Sequence, residues 1–187
     1  MSTKAKPRQL VFMGVCGSGK TTVAGIVADR LGLTVAEADD FHSEHNVAKM
    51  VSGQPLTDED RQPWLESIRN WMVDHAEKGE IGIITCSALK RSYRDILREC
   101  PAPVIFIHLD GERELISRRL AARSDHFMPP ALLDSQLETL EPLGEDENGV
   151  VLEITNTPQQ LADEIMDILG IKSPRHAHSS GLSSPRT

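Results

Sequence analysis

Residues 14–21 read GVCGSGKT, and this stretch decides how the rest of the chain is read. Two glycines with four residues between them, followed by Lys and Thr, form the pattern of a phosphate-binding loop. A triphosphate needs several backbone N–H groups converging on its oxygens, and bulky side chains would obstruct them. Gly14, Gly17 and Gly19 open that room, and Val15, Cys16 and Ser18 complete the cradle. Lys20 is placed to bridge the β and γ phosphates, and the Thr21 hydroxyl to hold Mg²⁺. Thr22 falls in the first turn of a helix whose positive end faces the anion. Outward from the loop, Leu10, Val11, Phe12 and Met13 make a short apolar run before it, and Val23, Ile26, Val27 and Leu31 recur at helical spacing after it. Gly32 then stops the helix. Strand, loop and helix thus stand in the required order, which a glycine-rich turn matching by chance would not explain.

At 187 residues the chain is long enough for one domain with a core that needs no disulfides. A formal charge of −8 speaks against nucleic acid and anionic membrane as partners, since both want a basic face. The three cysteines, Cys16, Cys86 and Cys100, form no CxxC pair and read as reduced thiols. The first residues lack an apolar signal core and no run reaches membrane-spanning length, so a cytoplasmic protein is expected. Residues 1–7 are expected to be a flexible N-terminus, 8–171 the folded domain, and 172–187, rich in Ser, Pro and His, a disordered tail. The His176 and His178 pair in that tail is read as an accident of composition.

Taken in order, residues 34–40 (TVAEADD) predict a strand ending in acids. In a parallel sheet that end lies at the same edge as the phosphate loop, which brings Glu37, Asp39 and Asp40 toward the γ-phosphate. A carboxylate there can accept the proton of an attacking hydroxyl or hold the Mg²⁺ shell through water; alternatively Asp40 caps the next helix, near residues 42–50. His42 is open between substrate ligand and surface residue, and His45 reads as surface. Residues 56–61 (LTDEDR) look turn-like. Arg61 either pairs with Asp58 or Asp60 or reaches an anionic acceptor. Trp64, Leu65, Ile68, Trp71, Met72 and His75 form one helical face, read as core packing.

Residues 81–86 form a buried central strand, and Ser87 is expected to cap a helix carrying Lys90, Arg91, Arg94 and Arg98. In an acidic protein this basic stripe suggests recognition of a second anion besides ATP; the alternative is a solvated face neutralised by Asp95 and Glu99. Residues 103–109 are another strand, and Asp110 after it imitates a metal-binding acid without being needed as one. Arg119 and Arg123 share a helical face, Arg119 placed to stack on adenine and Arg123 to neutralise charge in the transition state. Residues 124–130 (SDHFMPP) read as a mobile lid that excludes water. A last strand over residues 150–154 leads to a capping box at Thr157 and Gln160, with Pro158 in the first helical turn.

Four segments together resemble the small gluconokinases of the shikimate kinase and nucleoside monophosphate kinase group: MGVCGSGKTT, ADDFHSEHNVAKMVSGQPLTDEDRQPWL, CSALKRSYRDILRE and ARSDHFMPPALLDSQLETLEPLGEDE. The second and third are the specific ones. The resemblance implies an α/β fold, a P-loop kinase three-layer sandwich with a five-stranded parallel sheet flanked by helices and a small lid. It implies transfer of the ATP γ-phosphate to the 6-hydroxyl of D-gluconate, with Mg²⁺ as cofactor, in a protein that is often a homodimer. Carried onto this sequence, Gly14 through Thr22 bind ATP, with Arg119, Arg123 and Pro158 on the nucleotide side. Thr21 holds Mg²⁺, with Glu37 or Asp39 through water. Lys20, Asp39 and Arg123 are the catalytic set. Asp39, His42, Arg61, Ser87, Lys90, Arg91 and Arg94 fall in the acceptor region. A kinase for another small anion, or a nucleotide switch without catalysis, stays open beside this.

Overall fold

Five parallel strands in the order β2-β3-β1-β4-β5 form the central sheet. They are β1 (Gln9–Met13), β2 (Ala36–Glu37), β3 (Ile83–Thr85), β4 (Val104–Asp110) and β5 (Gly149–Glu153). This computed structural model describes residues 7–123 and 130–171. Most of the lid segment, the far N-terminus and the tail lie outside the described residues. Seven α-helices accompany the strands among the described residues: α1 (Lys20–Leu31), α2 (Glu44–Val51), α3 (Asp58–Glu77), α4 (Arg91–Leu97), α5 (Arg113–Ala122), α6 (Pro130–Thr139) and α7 (Pro158–Leu169).

Alternation along β1 explains the layers. Leu10 and Phe12 point into one core with Val23, Ala24 and Val27 of α1, Ile116 of α5 and Leu161, Ile165 and Leu169 of α7. Val11 and Met13 point into the other, against Leu65, Ile68 and Met72 of α3 and Leu97 of α4. With both faces covered, β1 is buried along its whole length, as a central parallel strand should be. The chain moves from β1 outward to β2 and β3 on one side, then crosses to β4 and β5 on the other. The crevice where these directions part, beyond the carboxyl end of β1, is where open α/β sheets receive ligands.

Several boundaries differ from the sequence expectation. The strand expected over 34–40 pairs only at Ala36–Glu37, and Ala38–Phe41 turn into a 3₁₀ helix that carries Asp39 and Asp40. Asp40 does not cap α2; Ser43 does, accepting the Asn46 N–H. The segment LTDEDR is not a turn. Thr57 and Asp60 make a reciprocal capping box, so α3 begins at Asp58 and its three acids favour the helix N-terminus. Ser87 is not a helix cap either: α4 starts at Arg91, after a loop in which Ala88 has φ +45°. The capping box at Thr157 and Gln160, with Pro158 at the first position, forms as expected.

Candidate active site

The phosphate loop joins β1 to α1, and its geometry demands glycine. At Gly14 a Cβ would lie 2.7 Å from the Leu109 carbonyl oxygen, and at Gly17 it would lie 2.7 Å from Leu120 of α5. Gly19 precedes α1 without any side-chain cap, and among the described residues no side chain bonds the first-turn amides of Lys20, Thr21 and Thr22. The Ser18 hydroxyl is buried and has no hydrogen-bond partner among the described residues. Lys20 folds back over the loop, its Nζ donating to the carbonyls of Gly14 at 2.9 Å and Val15 at 3.1 Å. Burial draws the pKa of this ammonium below the usual lysine range, opposed by Cys16, Cys86, Asp39 and Glu37. The first-turn amides of α1, the Ser18 hydroxyl and a partly desolvated cation fit a polyphosphate.

A cavity of about 600 Å³ opens over the loop. Lys20 and Thr21 line it from one side, Glu37, Asp39 and Thr85 from the strand edge, and Arg123, Leu132 and Gln136 from α5 and α6. Glu37 and Thr85 are register partners of β2 and β3. The Glu37 carboxylate is held at both oxygens: Thr21 Oγ1 donates to Oε1 at 3.1 Å and Thr85 Oγ1 donates to Oε2. Asp39, two residues on, makes no side-chain hydrogen bond to the described residues, and its carboxylate is exposed to the cavity. Trp64 sets that turn by donating its indole N–H to the Ala38 carbonyl at 2.7 Å. Its ring stacks on His42 at 4.3 Å between centroids. Burial lowers the His42 pKa, Asp39 opposes the shift and Arg61 reinforces it.

The basic stripe is resolved into separate structural roles. Arg94 is fully buried and its guanidinium is saturated: Nε and Nη2 donate to Glu147 at 2.6 and 3.1 Å, and Nη1 and Nη2 to the carbonyls of Ala88, Leu89 and Pro142. It has no donor left for an acceptor anion, which corrects the substrate-binding role expected for it. Arg91 is committed to Asp146 in the same acidic loop, and Arg98 to Asp95 and the Asp146 carbonyl. The stripe's three arginines are thus neutralised chiefly by residues 48 to 55 positions away, with Glu99 pairing instead with Arg69.

Lys90 and Arg61 meet in another cluster. Asp58 accepts from Lys90 at 3.1 Å on both oxygens and from the Tyr93 hydroxyl at 2.6 Å, and Arg61 donates to that hydroxyl at 3.3 Å. Arg61 Nη1 also lies 3.9 Å from Asp58 Oδ1. His45 pairs with Asp60 on the surface. Ser87 reaches the loop through its carbonyl, which accepts the Gly14 N–H at 3.3 Å, and it lines the cavity. Arg119 donates to the Ile154 carbonyl at 2.6 Å and lines a second cavity of about 470 Å³ with Asp110, Leu115 and Thr155. Pro158 lines neither cavity. Thr85 and Gln136 were not singled out by the sequence, and both line the cavity; Glu147, also missed, is the buried partner of Arg94.

A parallel sheet with strand order 2-3-1-4-5, a glycine loop at the switch point and carboxylates facing it define a P-loop phosphotransferase. A family model described as an AAA domain matches residues 10–143. The chain is 47% identical over 161 residues to the gluconokinase of Gluconobacter oxydans (strain 621H), covering 86% of this chain and 90% of that protein. Among solved structures it is similar to an unliganded sugar kinase from Janibacter sp. HTCC2649, at 55% identity and a TM-score of 0.80, covering 88% of this chain and 95% of that one. It is also similar to a gluconokinase from Sinorhizobium meliloti 1021, at 38% identity and a TM-score of 0.78, covering 89% and 94%. The chain belongs to the gluconokinase family.

Proposed function

We propose that the protein transfers the γ-phosphate of ATP to the 6-hydroxyl of D-gluconate. The observation that supports this reading is the cavity over the loop, which Asp39, Lys20 and Arg123 line together. Phosphoryl transfer asks the protein mostly for positioning and charge neutralisation. The loop amides and Lys20 hold the β and γ phosphates. The sugar hydroxyl attacks phosphorus as the bond to the ADP oxygen breaks, and Asp39 takes the hydroxyl proton. Arg123, at the end of α5, neutralises charge on the transferred group. His42, Arg61 and Lys90 form the acceptor side, and a substrate carboxylate would have to draw Arg61 and Lys90 from Asp58.

The oxygen donors Thr21 and Glu37 suit a hard divalent cation that keeps most of its shell for phosphate and water. No group of three or more His, Cys, Asp or Glu exists among the described residues to bind such an ion alone. Mg²⁺ held there through Thr21 and Glu37 would supply charge neutralisation at the phosphates. Thr85 orients Glu37 from behind, so Thr85→Val is expected to raise the Mg²⁺ needed for half-maximal rate about 10-fold, and Thr85→Ser to restore it. A Mg²⁺ titration at saturating ATP checks this; an unchanged requirement in Thr85→Val would remove Thr85 from that role.

The protein is read as a cytoplasmic homodimer, which light scattering would show as twice the chain mass. No helix among the described residues is long and apolar enough to cross a membrane. The acceptor is tested by ADP release with D-gluconate, its epimers, shikimate and nucleoside monophosphates at equal concentration. Turnover that depends on gluconate is expected. Turnover with another acid would keep the chemistry and replace the acceptor.

A further inference from the structure

Gln136 lies on α6, one turn after Leu132 and beside Leu133, which is buried in the core and fixes the helix face. Its Oε1 accepts the Cys16 N–H of the phosphate loop at 2.8 Å. A backbone N–H can only donate, so the carboxamide oxygen must face the loop and its NH₂ must point elsewhere. Gln136 lines the same cavity as Lys20, Asp39 and Arg123. The tether therefore leaves two uncharged N–H donors on a side chain that lines that cavity.

The position along the loop says which phosphate they serve. Lys20 Nζ rests on the carbonyls of Gly14 and Val15, the end of the loop remote from the helical amides of α1. Cys16 follows directly on those two residues, so Gln136 is tethered to the loop next to the carbonyls that hold the Lys20 ammonium. Resting on the reading of this cavity as the phosphoryl-transfer site, we propose that Gln136 is a γ-phosphate ligand. Anchored by the Cys16 amide, it tells a nucleoside triphosphate from a diphosphate. It also links α6, which follows the 124–129 segment, to the loop through a single side chain.

The test compares binding of Mg·ADP and of the non-hydrolysable triphosphate Mg·AMP-PNP by calorimetry, without acceptor. Gln136→Glu keeps an oxygen for Cys16 but turns the donor into an anion. Gln136→Met keeps the length and removes both functions. A hydrogen bond to a charged group is strong, so each variant is expected to weaken AMP-PNP binding by about 10-fold or more, with Gln136→Glu the weaker binder. ADP binding should stay within about twofold, because a ligand of the γ-phosphate makes no contact with the diphosphate. An equal loss for both nucleotides would make Gln136 a support of the loop and overturn the proposal, as would unchanged AMP-PNP binding. If the parent protein bound neither nucleotide, the reading of the cavity itself would fall, a different result from either of these.

Discussion

Asp39→Asn is expected to lower turnover by about 10²–10⁴-fold, the usual contribution of a positioned general base. The substitution keeps the shape of the side chain and one hydrogen-bonding oxygen but cannot take a proton at neutral pH. Asp39 and Glu37 lie two residues apart, yet the structure treats them differently. Glu37 is bound at both oxygens by Thr21 and Thr85, whereas the Asp39 carboxylate makes no side-chain hydrogen bond to the described residues and faces the cavity. The tethered acid suits the metal side and the untethered one suits the attacking hydroxyl. Nucleotide binding should survive, because the loop, Lys20 and Thr21 are untouched. Steady-state kcat together with the ADP dissociation constant checks both halves. Turnover within a few-fold of the parent would show that Asp39 is not the base.

Glu147→Ala is expected to destabilise the fold by about 3–5 kcal/mol, since it leaves the Arg94 charge buried without its partner. Both side chains are fully buried, and Glu147 also accepts the Gly144 N–H, so one carboxylate closes the 144–149 loop onto α4. The double variant Arg94→Met, Glu147→Leu should recover much of that loss, because it removes the charge along with its partner. Urea unfolding of the three proteins gives the comparison, and equal stability of Glu147→Ala and the parent would contradict it. The pH dependence follows from the same pair. Burial opposes ionisation of Glu147, but the hydrogen bonds from Arg94 and Gly144 and the charges of Arg94 and Arg91 outweigh it, and its pKa lies below the usual glutamate value of 4.5. Its stabilisation is therefore fully present above the unfolded-state value and is lost as pH falls through the lower, folded one. Acid unfolding of Glu147→Gln should lack this component.

The β1–loop–α1 unit was legible because three independent signals coincide there: an apolar run, glycines at required spacing and a helical repeat. The last helix was legible for a similar reason, with Thr, Pro and Gln in capping order. The start of α3 uses the same device but has Asp60 in place of Glu or Gln, and its run of acids resembles a turn when read locally. Within the basic stripe the fate of Arg94 was not legible because its partner Glu147 is distant in sequence; charge spacing on a helix cannot tell a ligand site from a buried ion pair. Thr85 was hidden in an apolar strand where a β-branched residue is ordinary. Gln136 carries no local pattern at all, and only the packing of α6 over the loop brings it to Cys16.

Product analysis tests the central claim most directly: ¹³C and ³¹P NMR of D-gluconate incubated with Mg·ATP and the protein. A phosphate ester coupled to C6, formed in step with ADP, is the predicted result. ADP accompanied by inorganic phosphate and unmodified gluconate, or an ester at another carbon, would contradict it.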